Sequence, residues 1–367
     1  MRGHGSTTSP AMNSVLFWDP SCVRPYDTRT VLHEAIGGSE SSLSRVADAL
    51  DAYVIQHNRP EACGRYRPPG RIPGITHVVI SRDARALPGV REIYPDARYT
   101  LWVHDQINPG STRGRRLASM AAVLRDLSVT IICVSDAQRR GVEATLQRMD
   151  VGDRVRAHTI YNPVDGALTP DGSPVDRDKL VFFSSPNKGL KFTLDAFRAI
   201  RRQMPELRLL VGNPGYKIDK PARIEGVSWL GPQPQSRIHA EVRTALCTFC
   251  PNFVIPETFG LVFAESMALG TPVLTHDCGA ASEIIGDREQ VLPVTCWHRA
   301  YERALGGMSS RFRGGPARLA EQLGLFDPYI ERIRAWRAGA RPHTGPDSRF
   351  ALAAVADRWR ALLASSR

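Results

Sequence analysis

Long apolar runs are missing from this chain. No stretch reaches the roughly 18 apolar residues that a membrane-spanning helix needs. The run Val15–Trp18 follows the polar segment MRGHGSTTSPAMN and is too short for the hydrophobic region of a signal peptide, so residues 1–13 read as a flexible tail. Paired cysteine spacing is lacking too. The seven cysteines are odd in number and share no repeated spacing. The single C-x-x-C, Cys247 to Cys250, lies in the apolar segment LCTFCPNF without a second ligand pair. Reduced thiols, a cytoplasmic location and no metal site are the resulting expectations. The G-x-G-x-x-G fingerprint does not occur, which weighs against a nicotinamide-linked oxidoreductase. Lysine is scarce, supplying five of the 48 basic residues, the rest being arginine.

What is present suits a soluble globular protein. At 367 residues, with 42% hydrophobic and 23% charged residues, the chain is long enough for two domains, each with its own core. The net charge of +11 bears on partners and not on fold. Nucleic acid, an anionic membrane surface and phosphate-bearing substrates all suit it, as does a coding bias toward arginine. The arginines are dispersed, and clusters such as Arg113, Arg115 and Arg116 lack the interleaved aromatics of a nucleic-acid module. A nucleic-acid-binding protein is therefore the minor alternative.

Short apolar segments alternate with helical patterns. SVLFW (14–18), AYVIQ (52–56), HVVIS (77–81), YTLWVH (99–104) and SVTIICV (128–134) read as buried strands. Helices are expected at 33–50, 113–127 and from Ser135 to about 149, where Ser135 and Gln138 have capping-box spacing. A second run offers strands at 179–185, 207–213, 227–231, 246–250, 271–276 and 290–294, with helices between them. After residue 300 the chain becomes Arg-rich, with helices around 317–338 and 347–364. Such alternation implies parallel sheets covered on both faces. A Pro-, Gly- and Asp-rich break near 163–178 divides the chain into domains at 14–165 and 166–345, with a last helical segment at 346–367. Open sheets of this kind bind ligands beyond the carboxyl ends of their strands, so residues just after strands carry the chemistry.

The most informative segment is IPETFGLVFAESMALGTPVL (255–274), in which Glu257 and Glu265 stand eight apart. The loop between them contains Gly260 and runs into a helix, whose N-terminal N–H groups suit a phosphate. Carboxylates suit sugar hydroxyls. Read alone, the two glutamates equally fit a helix that they merely cap and solvate. The segment resembles the E-x7-E signature of retaining nucleotide-sugar glycosyltransferases, specifically glycosyltransferase family 4, and Gly270–Val273 and Gly279 to Ile284 match that pattern as well. The resemblance runs from Gly37 to about Gly286. It implies an α/β fold of the GT-B type, two Rossmann-like doubly wound parallel-sheet domains facing a central cleft, with a final helix crossing back to the first. It implies that Glu265 binds the ribose hydroxyls of the donor and Glu257 the transferred sugar. The backbone at Phe259, Gly260 and Leu261 would meet the sugar and diphosphate.

Other candidates sit at strand ends. SSPNKGL (184–190) places Lys188 beside a glycine at a helix entrance, which suits a diphosphate clamp. The family pattern has an arginine a few residues earlier. Here Ser184, Ser185 and Pro186 occupy that stretch, so hydroxyls or an arginine from elsewhere would take that part. Gly37 and Gly38 resemble the N-terminal glycine loop that faces the diphosphate. His104 ends WVH, where the family's histidine meets the donor sugar or its phosphate, and a histidine can donate a proton or a hydrogen bond near neutral pH. Gly212, Asn213 and Gly215 would form a turn that seats the base. Asp176-Arg177-Asp178 is a D-x-D placed in the polar linker, read as surface charge and not as a metal site.

The implied catalytic set is Glu257, His104 and Lys188, with Gly37, Gly38, Ser184, Ser185, Gly212, Asn213, Phe259, Gly260, Leu261 and Glu265 binding the donor. The implied activity is retaining transfer of a hexosyl unit from a nucleotide-diphosphate sugar to a glycan or lipid-linked glycan, as in envelope polysaccharide assembly, without metal or further cofactor. An inverting transferase or a sugar-nucleotide epimerase of the same fold is the alternative. Basic loops near 57–76 and 105–118 beside an amphipathic helix suit an anionic membrane surface.

Overall fold

The computed structural model describes residues 14–213, 223–303 and 315–365. The expected tail at 1–13, together with Gly215, lies outside those residues. The chain divides into two compact units. The first contains the residues up to Arg29, Ser39–Pro163 and those from Arg349 onward; the second contains Thr30–Gly38 and Val164–Ser348.

In the first unit seven strands form one parallel sheet. They are β1 (Val15–Asp19), β2 (Tyr53–Gln56), β3 (Tyr66–Arg67), β4 (His77–Ser81), β5 (Arg98–Val103), β6 (Thr130–Cys133) and β7 (Arg156–Thr159), in the order β3-β2-β1-β4-β5-β6-β7. Every residue of β1 and β4 is buried, because helices cover both faces. That is why these strands read as unbroken apolar runs in the sequence. Leu16, Ile80, Leu101, Ile131, Leu124 and Val142 meet in one core. The expected helix at 113–127 is two helices, Thr112–Ala118 and Ala121–Asp126. The Ser119 hydroxyl bonds back to the Arg116 carbonyl at 2.8 Å, and Met120 leaves the helical region with φ −103° and ψ 10°.

The helix Leu352–Ser365 completes the core of this unit. Trp359 is fully buried and meets the rings of Phe17 and Trp102 edge-on, at 5.8 and 5.0 Å between centroids.

In the second unit six parallel strands follow the order β10-β9-β8-β11-β12-β13. They are β8 (Asp176–Phe183), β9 (Arg208–Asn213), β10 (Val227–Pro232), β11 (Ala245–Phe249), β12 (Val273–His276) and β13 (Val291–Leu292). Asp176, Arg177 and Asp178 open strand β8 and are not linker, a correction to the sequence reading. Asp176 pairs with Arg208 at 2.7 Å, and Asp178 pairs with Arg337. Gly212 also differs from expectation. It lies within β9, where a Cβ would come 2.4 Å from the Phe183 ring, so the glycine makes room for that ring and does not turn the chain.

Strand order reverses between β1 and β4 in one sheet and between β8 and β11 in the other. At such a switch point the loops leaving neighbouring strands diverge to opposite faces, which opens a crevice at the carboxyl edge.

Behind the second sheet lies an aromatic cluster of Phe192, Phe253, His276, His298, Tyr301 and Tyr329. His276 Nδ1 donates toward the carbonyls of Leu292 and Pro293 at 3.2 Å, and its Nε2 accepts from the Tyr329 hydroxyl. Burial pushes His276 down to about 3 and His298 down to about 4, so both are neutral in the fold.

Two outcomes follow. Trp359→Ala is expected to cost about 3–5 kcal/mol in urea unfolding, because it empties the ring cluster on Phe17 and Trp102. The unfolded chain protonates His276 and His298 below pH 6.5 while the fold does not, so their stabilisation is complete above that pH and falls as pH drops toward about 3 and 4. Melting curves between pH 6.5 and 5 should show stability falling by up to about 1.4 kcal/mol per pH unit for each histidine. His276→Gln should flatten that slope.

Candidate functional site

The switch point of the second sheet lies between the loops that leave β8 and β11. Residues 184–189 follow β8 and lead into the helix Leu190–Gln203; residues 250–260 follow β11 and lead into the helix Leu261–Ala268. Lys188 comes from the first loop and Glu257 from the second. Their side chains meet, with Lys188 Nζ donating to Glu257 Oε2 at 2.7 Å. Glu257 is 2% exposed, so its charge is held almost away from water.

The loop around Glu257 is built by a residue that sequence reasoning passed over. Asn252 is buried, and its Oδ1 accepts from the backbone N–H of Val254 and Ile255 at 3.2 and 3.3 Å. Its Nδ2 donates to the Ile255 carbonyl at 2.6 Å and to Glu257 Oε1 at 3.4 Å. The only sequence signal was an asparagine between a strand and Pro251-flanked turn residues, a common Asx-turn setting. The Glu257 backbone is fixed from the other side. Its N–H donates to the Cys278 carbonyl at 3.1 Å, and its carbonyl accepts from Ala280 at 2.9 Å. Gly279, between them, has φ +76°, and a Cβ there would stand 2.2 Å from the Glu257 oxygen. Only glycine lets the segment after β12 approach this closely.

Both helices that flank the ion pair begin on a left-handed glycine with no side-chain cap: Gly189 at φ +88° and Gly260 at φ +91°. Uncapped N-termini leave backbone donors and a positive partial charge at the carboxyl edge of the sheet, which favours an anion. Ser184 and Ser185 are buried in the first loop. The Ser185 hydroxyl bonds to the Asn187 side chain, and its carbonyl accepts from Lys188 N–H at 2.8 Å. Phe259 is buried under the second loop, and Glu265 lies on the helix behind it, 3.7 Å from His239 Nε2. Residues 30–38 belong to this unit, and a Cβ on Gly38 would come 2.8 Å from Leu261 Cδ1. Thus Gly38, Ser184, Ser185, Lys188, Glu257, Phe259, Gly260 and Leu261 are drawn to one edge, with Gly37 beside Gly38 in the chain. Gly212 and Asn213 end β9 on the same edge.

His104 belongs to the first unit, just past β5, packed against Trp102 at 4.6 Å between ring centroids with the rings tilted by 48°. Burial, followed by the Arg82 charge, pushes it down to about 3. A histidine so held is neutral near pH 7, which of the two expected roles favours a hydrogen bond over a donated proton. Its Nε2 is buried with no hydrogen-bond partner among the described residues.

All seven cysteines are free, and burial pushes the Cys247 thiol up to about 12 and Cys250 higher still. Cys133, Cys247 and Cys250, fully buried, act as small apolar residues, whereas Cys63 and Cys296 are exposed. Among the described residues no three His, Cys, Asp or Glu side chains gather as a metal site would need.

Residues 173–304 match the protein family described as "Glycosyl transferases group 1". The chain is 28% identical over 201 residues to a phosphatidyl-myo-inositol mannosyltransferase of Mycobacterium tuberculosis, covering 50% of this chain and 51% of that protein. It is 33% identical over 140 residues to a D-inositol 3-phosphate glycosyltransferase of Gordonia bronchialis, covering 34% of this chain and 28% of that protein. The match therefore spans about half or less of these curated relatives. The fold is shared with sucrose-phosphate synthase from Thermosynechococcus elongatus, with a TM-score of 0.58 at 17% identity, covering 96% of this chain and 100% of that one. The two parallel-sheet units are thus a GT-B fold.

The buried ion pair sets a stability test. Lys188→Ala should cost about 2–3 kcal/mol, because it leaves a charged Glu257 without its cation in a site only partly open to water. Adding Glu257→Gln should recover most of that loss. Urea unfolding of the four proteins measures the coupling; a double variant no more stable than Lys188→Ala would remove the pair from the account.

Proposed function

We propose that this chain is a glycosyltransferase that moves a hexosyl unit from a nucleotide-diphosphate sugar to an acceptor hydroxyl. The observation that carries this reading is the Lys188–Glu257 pair at a switch point, flanked by the uncapped helix starts at Gly189 and Gly260. The match of residues 173–304 to a glycosyl transferase family supports it.

In this reading the diphosphate lies against Lys188 and the backbone donors at Gly260 and Leu261. These groups meet the negative charge that grows on the leaving phosphate as the anomeric C–O bond breaks. Glu257 accepts hydrogen bonds from hydroxyls of the transferred sugar, and Glu265 from the ribose. Ser184 and Ser185 stand where the family places an arginine. The reaction is retaining: the acceptor hydroxyl attacks on the face that the diphosphate leaves, and the leaving phosphate takes its proton. No side chain needs to act as general base, which agrees with a neutral His104. The transfer proceeds without metal. The relatives' names combine a hexosyl transfer with a phosphate-bearing inositol acceptor, and we infer an acceptor of related polarity, either soluble or displayed at an anionic membrane surface on the cytoplasmic side. Among the described residues no helix is long and apolar enough to cross a membrane.

The test is a screen of nucleotide sugars for hydrolysis and transfer in the presence of chelator. Glu257→Ala and Lys188→Ala should each lower turnover about 10²–10³-fold. Near wild-type rates in both would sink the site. Product NMR should show the donor's anomeric configuration kept; inversion would instead identify an inverting transferase, and epimerised donor an epimerase.

A further inference from the structure

The loop that carries Glu257 takes its shape from within and its place from outside. The side-chain bonds of Asn252 run to Val254, Ile255 and Glu257, all inside the loop, so they fix its curvature and not its position. At the tip, Val254 and Ile255 are half-buried and Pro256 is exposed. Phe253 is different, since its side chain is fully buried. Its ring stands edge-on to Phe192 at 4.8 Å, His298 at 4.9 Å and His276 at 5.4 Å between centroids. Its carbonyl accepts from Arg299 Nη1 at 3.0 Å.

The seat of Phe253 is itself fixed. The Thr295 N–H donates to His298 Nδ1 at 3.1 Å, and the His298 ring lies 4.3 Å from that of His276. His276 is held by the carbonyls of Leu292 and Pro293 and by the Tyr329 hydroxyl. Imidazoles bonded at a ring nitrogen keep one orientation, so a ring packed against both has one place. His298 and Arg299 are consecutive on the helix Cys296–Arg303, which therefore holds Phe253 by its ring and by its carbonyl. Arg299 is half-exposed, and Glu302 steadies its guanidinium at 3.0 Å.

The same cluster begins the second loop that reaches Glu257. His276 ends β12, and its carbonyl accepts from the Cys278 N–H at 2.9 Å; the Cys278 carbonyl accepts from the Glu257 N–H at 3.1 Å. Two routes thus arrive at Glu257, one through Phe253 and Asn252 to the carboxylate and one through His276 and Cys278 to the backbone. Both start on rings that touch.

We propose that Phe253 is a positioning residue for Glu257, seated by His276 and His298 and closed from outside by Arg299. That the positioned carboxylate meets a sugar rests on the glycosyl-transfer reading; its placement against Lys188 does not.

The coupling between Lys188 and Glu257 reports this placement directly. It is measured by urea unfolding of the four proteins of the cycle in wild-type, Phe253→Leu and Arg299→Ala backgrounds. A residue that only packs the unit lowers all four alike and leaves the coupling as it was. Phe253→Leu should reduce the coupling to about half or less, and Arg299→Ala by about a third. Arg299→Lys, which still donates to the carbonyl, should restore it. Trp359→Phe, a packing change in the first unit, should leave it unchanged. Should Phe253→Leu fold poorly, the two Arg299 variants carry the test.

The second arm follows hydrolysis of UDP-glucose and GDP-mannose. Phe253→Leu should lower kcat about tenfold, because small displacements of a reacting group are costly in rate. KM, and the calorimetric affinity for UDP and GDP, should stay within about twofold, since these do not depend on the sugar contact. The proposal is overturned if the coupling keeps its wild-type size in both Phe253→Leu and Arg299→Ala, or if Trp359→Phe reduces it as much as they do. A reduced coupling beside no turnover of any nucleotide sugar would overturn the glycosyl-transfer reading and leave the positioning role standing.

Discussion

A carboxylate almost sealed from water must be matched, and in the second unit that requirement organises three loops at once. Glu257 meets Lys188 from the loop after β8, Asn252 from its own loop after β11, and the backbone of Cys278 and Ala280 after β12. Each partner brings a different strand's carboxyl end to the same point. The glycines follow from this. Gly279 exists because the β12 loop passes within bonding distance of Glu257, and Gly189 and Gly260 let their helices begin beside the pair without a side chain in the way. A buried ion pair adds little net stability over an apolar replacement. Its retention here is better explained by placement: it fixes a cation and an anion at the mouth of two helix N-termini.

The strands were legible because helices cover both faces of each sheet, so that β1, β4 and β11 read as unbroken apolar runs. The segments misread were those where polarity and structure part company. Asp176–Asp178 reads like linker because the first residues of β8, although Asp176 pairs with Ala245 in the sheet, are only partly buried and so are free to be charged. Residues 113–127 looked like one helix because apolar spacing carries through a break that one serine hydroxyl makes. In the site, the residues that carry charge were visible as motifs, and those that hold them were not. Asn252 has no periodicity to betray it, and its role is defined by four bonds that exist only in the folded loop. Gly212 was read as a turn because glycine after an apolar strand usually is one; its neighbour across the sheet, Phe183, decides otherwise. The charge state of His104 was equally out of reach, since it depends on burial and on Arg82, which is 22 positions earlier in the chain.

The two sheets have the same strand logic and use their carboxyl edges differently. In the second, the cation is a single lysine on a short loop, and most of the anion-attracting field comes from backbone donors at helix starts. In the first, side-chain guanidiniums dominate, and a carboxylate is used to hold one of them still. Backbone donors are fixed by the fold and suit a group of constant geometry, as a diphosphate is. Lysine is rare in this chain of net charge +11, and one of the five faces Glu257, whereas in the first unit Arg82 and Arg113 both reach Asp105. A general affinity for polyanions would need the excess spread over an open surface. Here many of the arginines are matched by carboxylates instead, among them Arg82 and Arg113 by Asp105, Arg139 by Glu143 and Arg337 by Asp178.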